Sequence, residues 1–454
     1  MWFNSLDYLL FFLVVYTIYW SVPSFLKKYI LLFASFFFYA YWNLAFFFHF
    51  LGTTIFSYAI VSLLRKEKKK SILLIGVGAN LLNLIFFKYS QSFINGILSI
   101  PGNEDLFFTS LPKIILPLAI SFYTFQIIAF IVDTYRTDTD GIGFIDFILF
   151  IFFFPQLIAG PIMRHSDFFH QLGKVELKLA DTQEALLRII SGVFKKVLIA
   201  DQMARIINPI WNDPTSSSGS EIFLAIIGFS VQVYSDFSGY TDIARGSALL
   251  LGYRIPENFR SPYFSLSFSE LWSRWHITLS TWLRDYLFIP LGGSRVTNTR
   301  LYFNTLVVMS LGGLWHGDTY TFFLWGLIHG TFLILERRWG VINTRNKLFN
   351  SCMGWVLVTI GWLIGALMFR SGNWETFSAM MSSMTNPGKV KIYWQTFIEL
   401  SLLCYAIQFL ELKNFFQEKI KFNQTALILI LSVVMYFAIV RIKIQQDQFI
   451  YFQF

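Results

Sequence analysis

Residues 272–293, WSRWHITLSTWLRDYLFIPLGG, and residues 312–330, GGLWHGDTYTFFLWGLIHG, decide how the chain is read. Three of the six histidines, His276, His316 and His329, lie in these two segments, beside two arginines and two glycine-rich breaks. The surrounding chain of 454 residues is 55% hydrophobic and 19% aromatic, and only 14% of it is charged. Soluble domains carry about 25% charged residues, so this composition belongs to a polytopic membrane protein. An ionisable group in a lipid-embedded interior costs on the order of several kcal/mol unless it is paired or used. The histidine segments therefore mark a functional centre.

A spanning helix needs about 20 residues to cross roughly 30 Å of hydrocarbon. By that rule the candidate spans are 6–24, 29–48, 50–64, 71–88, 113–132, 144–159, 186–207, 222–251, 301–335 (interrupted), 353–369, 394–411 and 425–441. The expected fold is all-α, a polytopic integral membrane protein with about 11–12 spanning helices plus re-entrant or interfacial helices. One domain is expected over 1–454, with N-terminal spanning helices in 1–100, a motif-bearing catalytic core in 111–340 and C-terminal spanning helices in 341–454. The first span is expected to be retained, because residues 1–7 lack a positive charge and no small-residue cleavage site follows.

The net charge of +9 comes from short cationic clusters between apolar runs, the pattern of loop anchors and not of a nucleic-acid-binding stripe. Lys27-Lys28 and the cluster at 65–70 are separated by two spans and so share a side. The positive-inside rule makes that side cytoplasmic and places the N-terminus outside. The acidic loop at 101–105 falls outside as well. Between 164 and 213 the apolar stretches are short and charged, and 186–207 repeats at three- and four-residue intervals, as amphipathic interfacial helices do. Cys352 and Cys404 read as buried small hydrophobes.

Placed on one helix at 100° per residue, Trp272, Trp275, His276, Leu279, Trp282, Leu283 and Tyr286 fall within an arc of about 120°. His276 then sits on an aromatic face where burial favours neutral imidazole. It is either a polar participant in chemistry or a buried ring bonded to a backbone carbonyl. Residues 301–314 span only about 21 Å, too short to cross alone. Either one helix breaks near mid-depth or two short helices meet at Gly312, Gly313, Gly317 and Asp318. Non-helical backbone at that depth must be lined by polar groups, which singles out Trp315, His316 and Gly317. The turn at 290–293 lets His276 and His316 meet. His329 lies about 20 Å beyond His316 along a helix and reads as structural. No metal-ligand spacing is present.

The segments LPLAISFYTFQIIAFIVDTYR (111–136 region), FPQLIAGPIMR (154–164), QVYSDFSGYTDIARG (232–246), RWHITLSTWLRDYLFIPLGG (274–293), GGLWHG (312–317), LWGLIHG (324–330) and FIYFQF (449–454) occur in order along the chain. Together they resemble the membrane-bound O-acyltransferase (MBOAT) superfamily, and within it the bacterial alginate O-acetylase branch, which includes peptidoglycan O-acetyltransferases. Residues 1–100 and 340–440 match only in hydropathy.

The resemblance implies His316 as the catalytic histidine and His276 as the second polar position; by their place beside these two, Trp315, Gly317, Trp275 and Arg274 are the supporting candidates. It also implies a cytoplasmic thioester donor (acetyl-coenzyme A), no permanently bound cofactor and no metal. The expected setting is the bacterial inner membrane, with an extracytoplasmic hydrolase-like partner and a cell-envelope polysaccharide such as alginate as acceptor. Peptidoglycan O-acetylation and teichoic-acid D-alanyl transfer are the alternatives within the superfamily. A transporter or flippase is the alternative outside it, because broken helices with buried charges also mark transporters. Asp236, in the apolar run 222–251, is expected to support the site by pairing with Arg274 or Arg284.

Overall fold

The computed structural model describes residues 1–3, 5–98, 114–137, 139, 141–176, 178–340, 347–390 and 393–412. Among them every regular element is helical, as expected. The expected span at 425–441 and the acidic loop at 101–105 lie outside the described residues. Four helices among the described ones are long and apolar enough to cross a membrane: α3 (Leu44–Lys66), α4 (Lys70–Leu98), α11 (Gly219–Leu250) and α16 (Lys347–Ser371). The shorter apolar α1 (Leu6–Ser21) precedes them. The chain divides into two compact units.

The first unit takes in Phe11–Glu176 and Leu251–Ile255. It holds α2 (Ser24–Ala40), α3, α4, α5 (Ile120–Arg136), α6 (Phe144–Phe152) and two single-turn helices, α7 (Phe154–Leu157) and α8 (His165–Phe168). Large apolar side chains such as Phe25, Phe33, Phe48 and Leu82 stand fully outward. Exposed greasy surface on this scale is what lipid covers.

Two helix breaks in this unit correct the expected spans. The span 29–48 ends early because Asn43 caps α3, its side chain accepting from Phe46 N at 3.0 Å. The span 144–159 breaks at Phe153, just before Pro155, which has no N–H to continue the ladder. The carbonyl of Phe150 freed by that break accepts from Gln126 Nε2 at 2.8 Å. Gln156 then donates to Gln126 Oε1 at 2.8 Å. The cationic clusters do share a face: Lys28 pairs with Asp146 at 3.1 Å, while Arg65 donates to the carbonyls of Thr139 and Ile142, both at 2.9 Å.

The second unit takes in Trp2–Leu10, Leu177–Leu250 and Pro256–Phe454. Its axis is α11, whose apolar window is 83% buried, against 17% for α4. Around α11 pack α9 (Leu179–Val193), a π-helical turn (Phe194–Ala200), α10 (Asp201–Asn212), α16, α17 (Trp374–Ser383) and α18 (Trp394–Leu412). Close approach needs glycine here: a Cβ on Gly239 would stand 2.7 Å from the Gly192 carbonyl oxygen of α9.

The remaining elements are α12 (Phe268–Arg274), α13 (Ile277–Leu283), α14 (Asn298–His316) and α15 (Tyr320–Trp339). The sequence undercounts α14, because its polar first turn and Trp315-His316 extend the apolar run to 19 residues. At 1.5 Å per residue that is about 28 Å. With α15, of 20 residues, it forms an antiparallel hairpin. Of the two expected arrangements the second therefore holds: two helices meet, at Gly317 and Asp318, while Gly312 and Gly313 lie inside α14. The hairpin packs through glycine: a Cβ on Gly326 would lie 2.1 Å from the Met309 carbonyl oxygen. Gly326→Ala must push the two backbones apart, and overpacking of this kind costs about 1–3 kcal/mol. A lowered thermal unfolding midpoint of the detergent-solubilised variant is the expected result.

Candidate active site

The turn between α14 and α15 places His316 on the last residue of its helix. Gly317 follows in an extended conformation (φ −157°), and Thr319 opens the next helix. Only glycine fits at 317, since a Cβ there would stand 2.0 Å from the Phe322 ring. Asp318 and Tyr320 are exposed, whereas Trp315, His316 and Gly317 are buried. The imidazole of His316 therefore lies just beneath a turn that reaches the surface of its unit. Three rings enclose it: Trp315 at 4.9 Å, Phe369 at 5.1 Å and Trp325 at 5.2 Å between centroids. It lines a small cavity with Trp275, Trp325, Trp362 and Phe369.

The first histidine segment is not one helix. It breaks at Trp275-His276, between α12 and α13. His276 takes left-handed backbone angles (φ 42°, ψ 55°), which a non-glycine residue adopts only when its surroundings impose them. Asn258 imposes them. Its carbonyl accepts from Ile277 N at 2.9 Å, and its side chain accepts from Thr278 Oγ1 at 2.6 Å, capping α13. Helical periodicity cannot register such a kink. The burial it forecast nevertheless holds for Trp275, His276, Leu279, Trp282, Leu283 and Tyr286.

His276 is not among the described residues that line the cavity beside His316. His276 is packed between Phe237 at 4.8 Å and Trp315 at 5.8 Å, so the Trp315 indole stands between His276 and His316. Trp275 does line the His316 cavity. Gly312 and Gly313 lie inside α14, where helix hydrogen bonds occupy their N–H groups. His329 is fully buried among Trp272, Trp325 and Trp362, and both ring nitrogens lack a hydrogen-bond partner among the described residues. Its ring occupies the space left by Gly365, where a Cβ would stand 2.4 Å from Nε2. That is a packing role.

Asp236 does not pair with either arginine. Arg274 is held by Glu270 at 2.7 Å and Arg284 by Asp285 at 2.7 Å. Asp236, buried on α11, pairs with Lys196 at 2.6 Å, and Lys196 also reaches Asp201 at 2.8 Å. The neighbouring Lys195 meets Asp242 at 2.7 Å and Glu411 at 2.5 Å, and donates to Ser238 at 2.9 Å. The π-helical turn aims two successive lysines at the same helix. These residues read as part of an interfacial segment in the sequence, yet both lysines are buried.

Next to this network lies a polar cavity of about 460 Å³, lined by Arg188, Arg245, Arg260 and Arg274 and, in equal number, by the carboxylates Glu184, Asp242, Glu257 and Glu411, with Asn258 in its wall. Asn258 is the residue that sets the backbone of His276, so the cavity wall and the histidine kink share a side chain.

The MBOAT, membrane-bound O-acyltransferase family profile matches residues 133–382, which include both histidine segments, the lysine pair and the cavity wall up to Arg274. The chain belongs to the membrane-bound O-acyltransferase family. It is 38% identical over 399 residues to the "Probable alginate O-acetylase AlgI" of Pseudomonas putida, covering 85% of this chain and 80% of that one. It is 35% identical over 405 residues to the "Peptidoglycan O-acetyltransferase" of Helicobacter pylori, covering 82% and 76%. A "Teichoic acid D-alanyltransferase" of Streptococcus thermophilus is 27% identical over 239 residues, 49% of this chain and 57% of that one. This membrane-bound O-acyltransferase is thus similar to proteins named for three different polymers, alginate, peptidoglycan and teichoic acid.

Residues of the acyltransferase that sequence reading missed are Lys195, Lys196, Phe369 and Trp362. The lysines left a signal, two adjacent cations followed by VLIA and facing the acidic run of α11. The α16 rings left none, because one apolar helix face looks like another.

Proposed function

We propose that the protein transfers an acetyl group from acetyl-coenzyme A to a hydroxyl of a cell-envelope polysaccharide such as alginate, working from the inner membrane with its N-terminus outside. The observation that carries this reading is His316, held at a helix end beneath an exposed turn and walled by aromatic rings. A neutral imidazole is the form that accepts a proton. The attacking hydroxyl gives its proton to His316 as its oxygen bonds the thioester carbon. The C–S bond then breaks, and the leaving thiolate takes the proton back. Negative charge on the carbonyl oxygen needs a donor, and the Trp315 indole N–H is buried beside His316. His276 acts through the same indole, as its packing partner on the far side.

The shared face of Lys28 and Arg65 supports a cytoplasmic side by the positive-inside rule. An extracytoplasmic hydrolase-like partner completes delivery to the polymer in this reading. The test is base-released acetate from the envelope polysaccharide of cells with and without the gene. Acetate present only with the gene supports the reading. Released D-alanine in its place assigns the sister reaction, and no difference refutes both.

A further inference from the structure

A groove of about 520 Å³ runs beside the α14–α15 hairpin, toward the end remote from His316. Leu283, Phe288, Val308, Met309 and Leu333 give it apolar walls, and Arg284 and Arg337 also line it. The antiparallel hairpin sets the order of these groups. Met309 lies against Gly330, where a Cβ would stand 3.3 Å from the Met309 Cβ, so Arg337 falls level with the first turns of α14. The groove thus runs from cations at the helix ends to apolar side chains about 10 Å further along the hairpin.

Its setting is the lipid-facing surface. Phe303, Leu311 and Phe323 stand outward on the same hairpin, and Trp339, 73% exposed, ends α15 as an interfacial aromatic anchor does. Arg284, Arg295, Arg300, Arg337 and Arg338 mark this end, against the carboxylates Asp285 and Glu336. Both carboxylates are engaged. Asp285 holds Arg284 at 2.7 Å, and Glu336 accepts from Ser269 Oγ at 2.5 Å and from the amides of Phe268 and Ser269. The side chains of Arg295, Arg337 and Arg338 make no ion pair or hydrogen bond with a described residue.

We propose that this groove holds one anionic phospholipid of the bilayer, its phosphate on Arg337 and Arg284 and an acyl chain along Val308, Met309 and Leu333. A guanidinium pairs bidentately with phosphate, and basic pockets between spanning helices collect such headgroups. A zwitterionic lipid carries its own cation beside the phosphate and gains less. The lipid is held and not consumed. Trp272 lines the groove and packs on Trp325 at 5.7 Å, and Trp325 packs on His316 at 5.2 Å, so two indoles separate the groove from the histidine. The proposal stands whichever acyl group and acceptor the enzyme uses.

The experiment adds phosphatidylglycerol or phosphatidylcholine to the delipidated full chain in detergent and counts retained lipids by native mass spectrometry. Wild type is expected to retain one phosphatidylglycerol with ~10-fold higher affinity than phosphatidylcholine, the worth of one charge-assisted hydrogen bond. Arg337→Gln, at an exposed position, is expected to lose that preference. Ile334→Trp keeps both arginines but fills the groove, and is expected to bind phosphatidylglycerol ~10-fold more weakly. Thr305→Trp, from the facing helix, decides if Ile334→Trp fails to accumulate. Equal retention of the two lipids by wild type overturns the proposal, as does a preference that survives Arg337→Gln. Undiminished binding by the groove-filling variant places the lipid elsewhere and overturns it too. Glycerol phosphate that displaces phosphatidylglycerol at equal concentration reveals a site for phosphate alone, which also refutes a lipid site.

Discussion

Cells carrying His316→Ala are expected to keep the protein in the membrane and lose ester-linked acetate, with transfer falling by ~10²–10⁴-fold, the usual worth of a general base. Among the described residues the ring is the only titratable group lining the small cavity, so its described neighbours offer no substitute base. Truncation also leaves a void among Trp315, Trp325 and Phe369. His316→Gln fills that void without supplying a base and is expected to be equally inactive. His276→Gln should behave differently. That residue is separated from His316 by an indole, so it acts by positioning Trp315 and should leave measurable transfer. Equal loss in both glutamine variants would show that His276 also reaches the substrate.

Lys196→Met is expected to cause the largest loss of stability. The ammonium is buried between Asp236 at 2.6 Å and Asp201 at 2.8 Å, and removing it leaves two carboxylates facing each other in the interior. Breaking a buried pair by deleting one partner costs about 3–5 kcal/mol. The solubilised variant should melt roughly 3–5 °C lower than wild type. Adding Asp236→Asn to Lys196→Met removes one of the stranded charges and should return part of that loss. An unchanged midpoint for Lys196→Met would mean that the pair contributes nothing to the fold. The exposed Lys69, paired with Glu67 at 2.6 Å, is the control: its replacement should shift the midpoint little, as surface pairs do.

The parts of this fold legible in the sequence are those that hydropathy and residue chemistry govern. The apolar runs gave the helices, and Gly317 with Asp318 gave the turn that exposes the end of α14. The parts that hydropathy missed depend on single polar contacts across the chain. Asn43 and Pro155 cut two spans that look continuous when averaged over 20 residues. Asn258 bends the chain at His276 from a position 18 residues upstream in sequence. Asp236 was legible as a buried charge but its partner was not. The π-helical turn resets the register of residues 194–200, so Lys196 faces α11 where a regular helix need not place it. The enclosure of His316 by Phe369 was equally hidden, since that ring arrives from a separate apolar helix.

The central claim, that His316 is the base for acyl transfer from a donor on one face of the membrane to an acceptor on the other, is tested most directly in inverted membrane vesicles. Labelled acetyl-coenzyme A is supplied at the former cytoplasmic surface, and base-labile label is counted inside the lumen. Luminal label that accumulates with the wild-type protein and is absent with His316→Gln is the predicted result. Equal luminal label in the two preparations would contradict it.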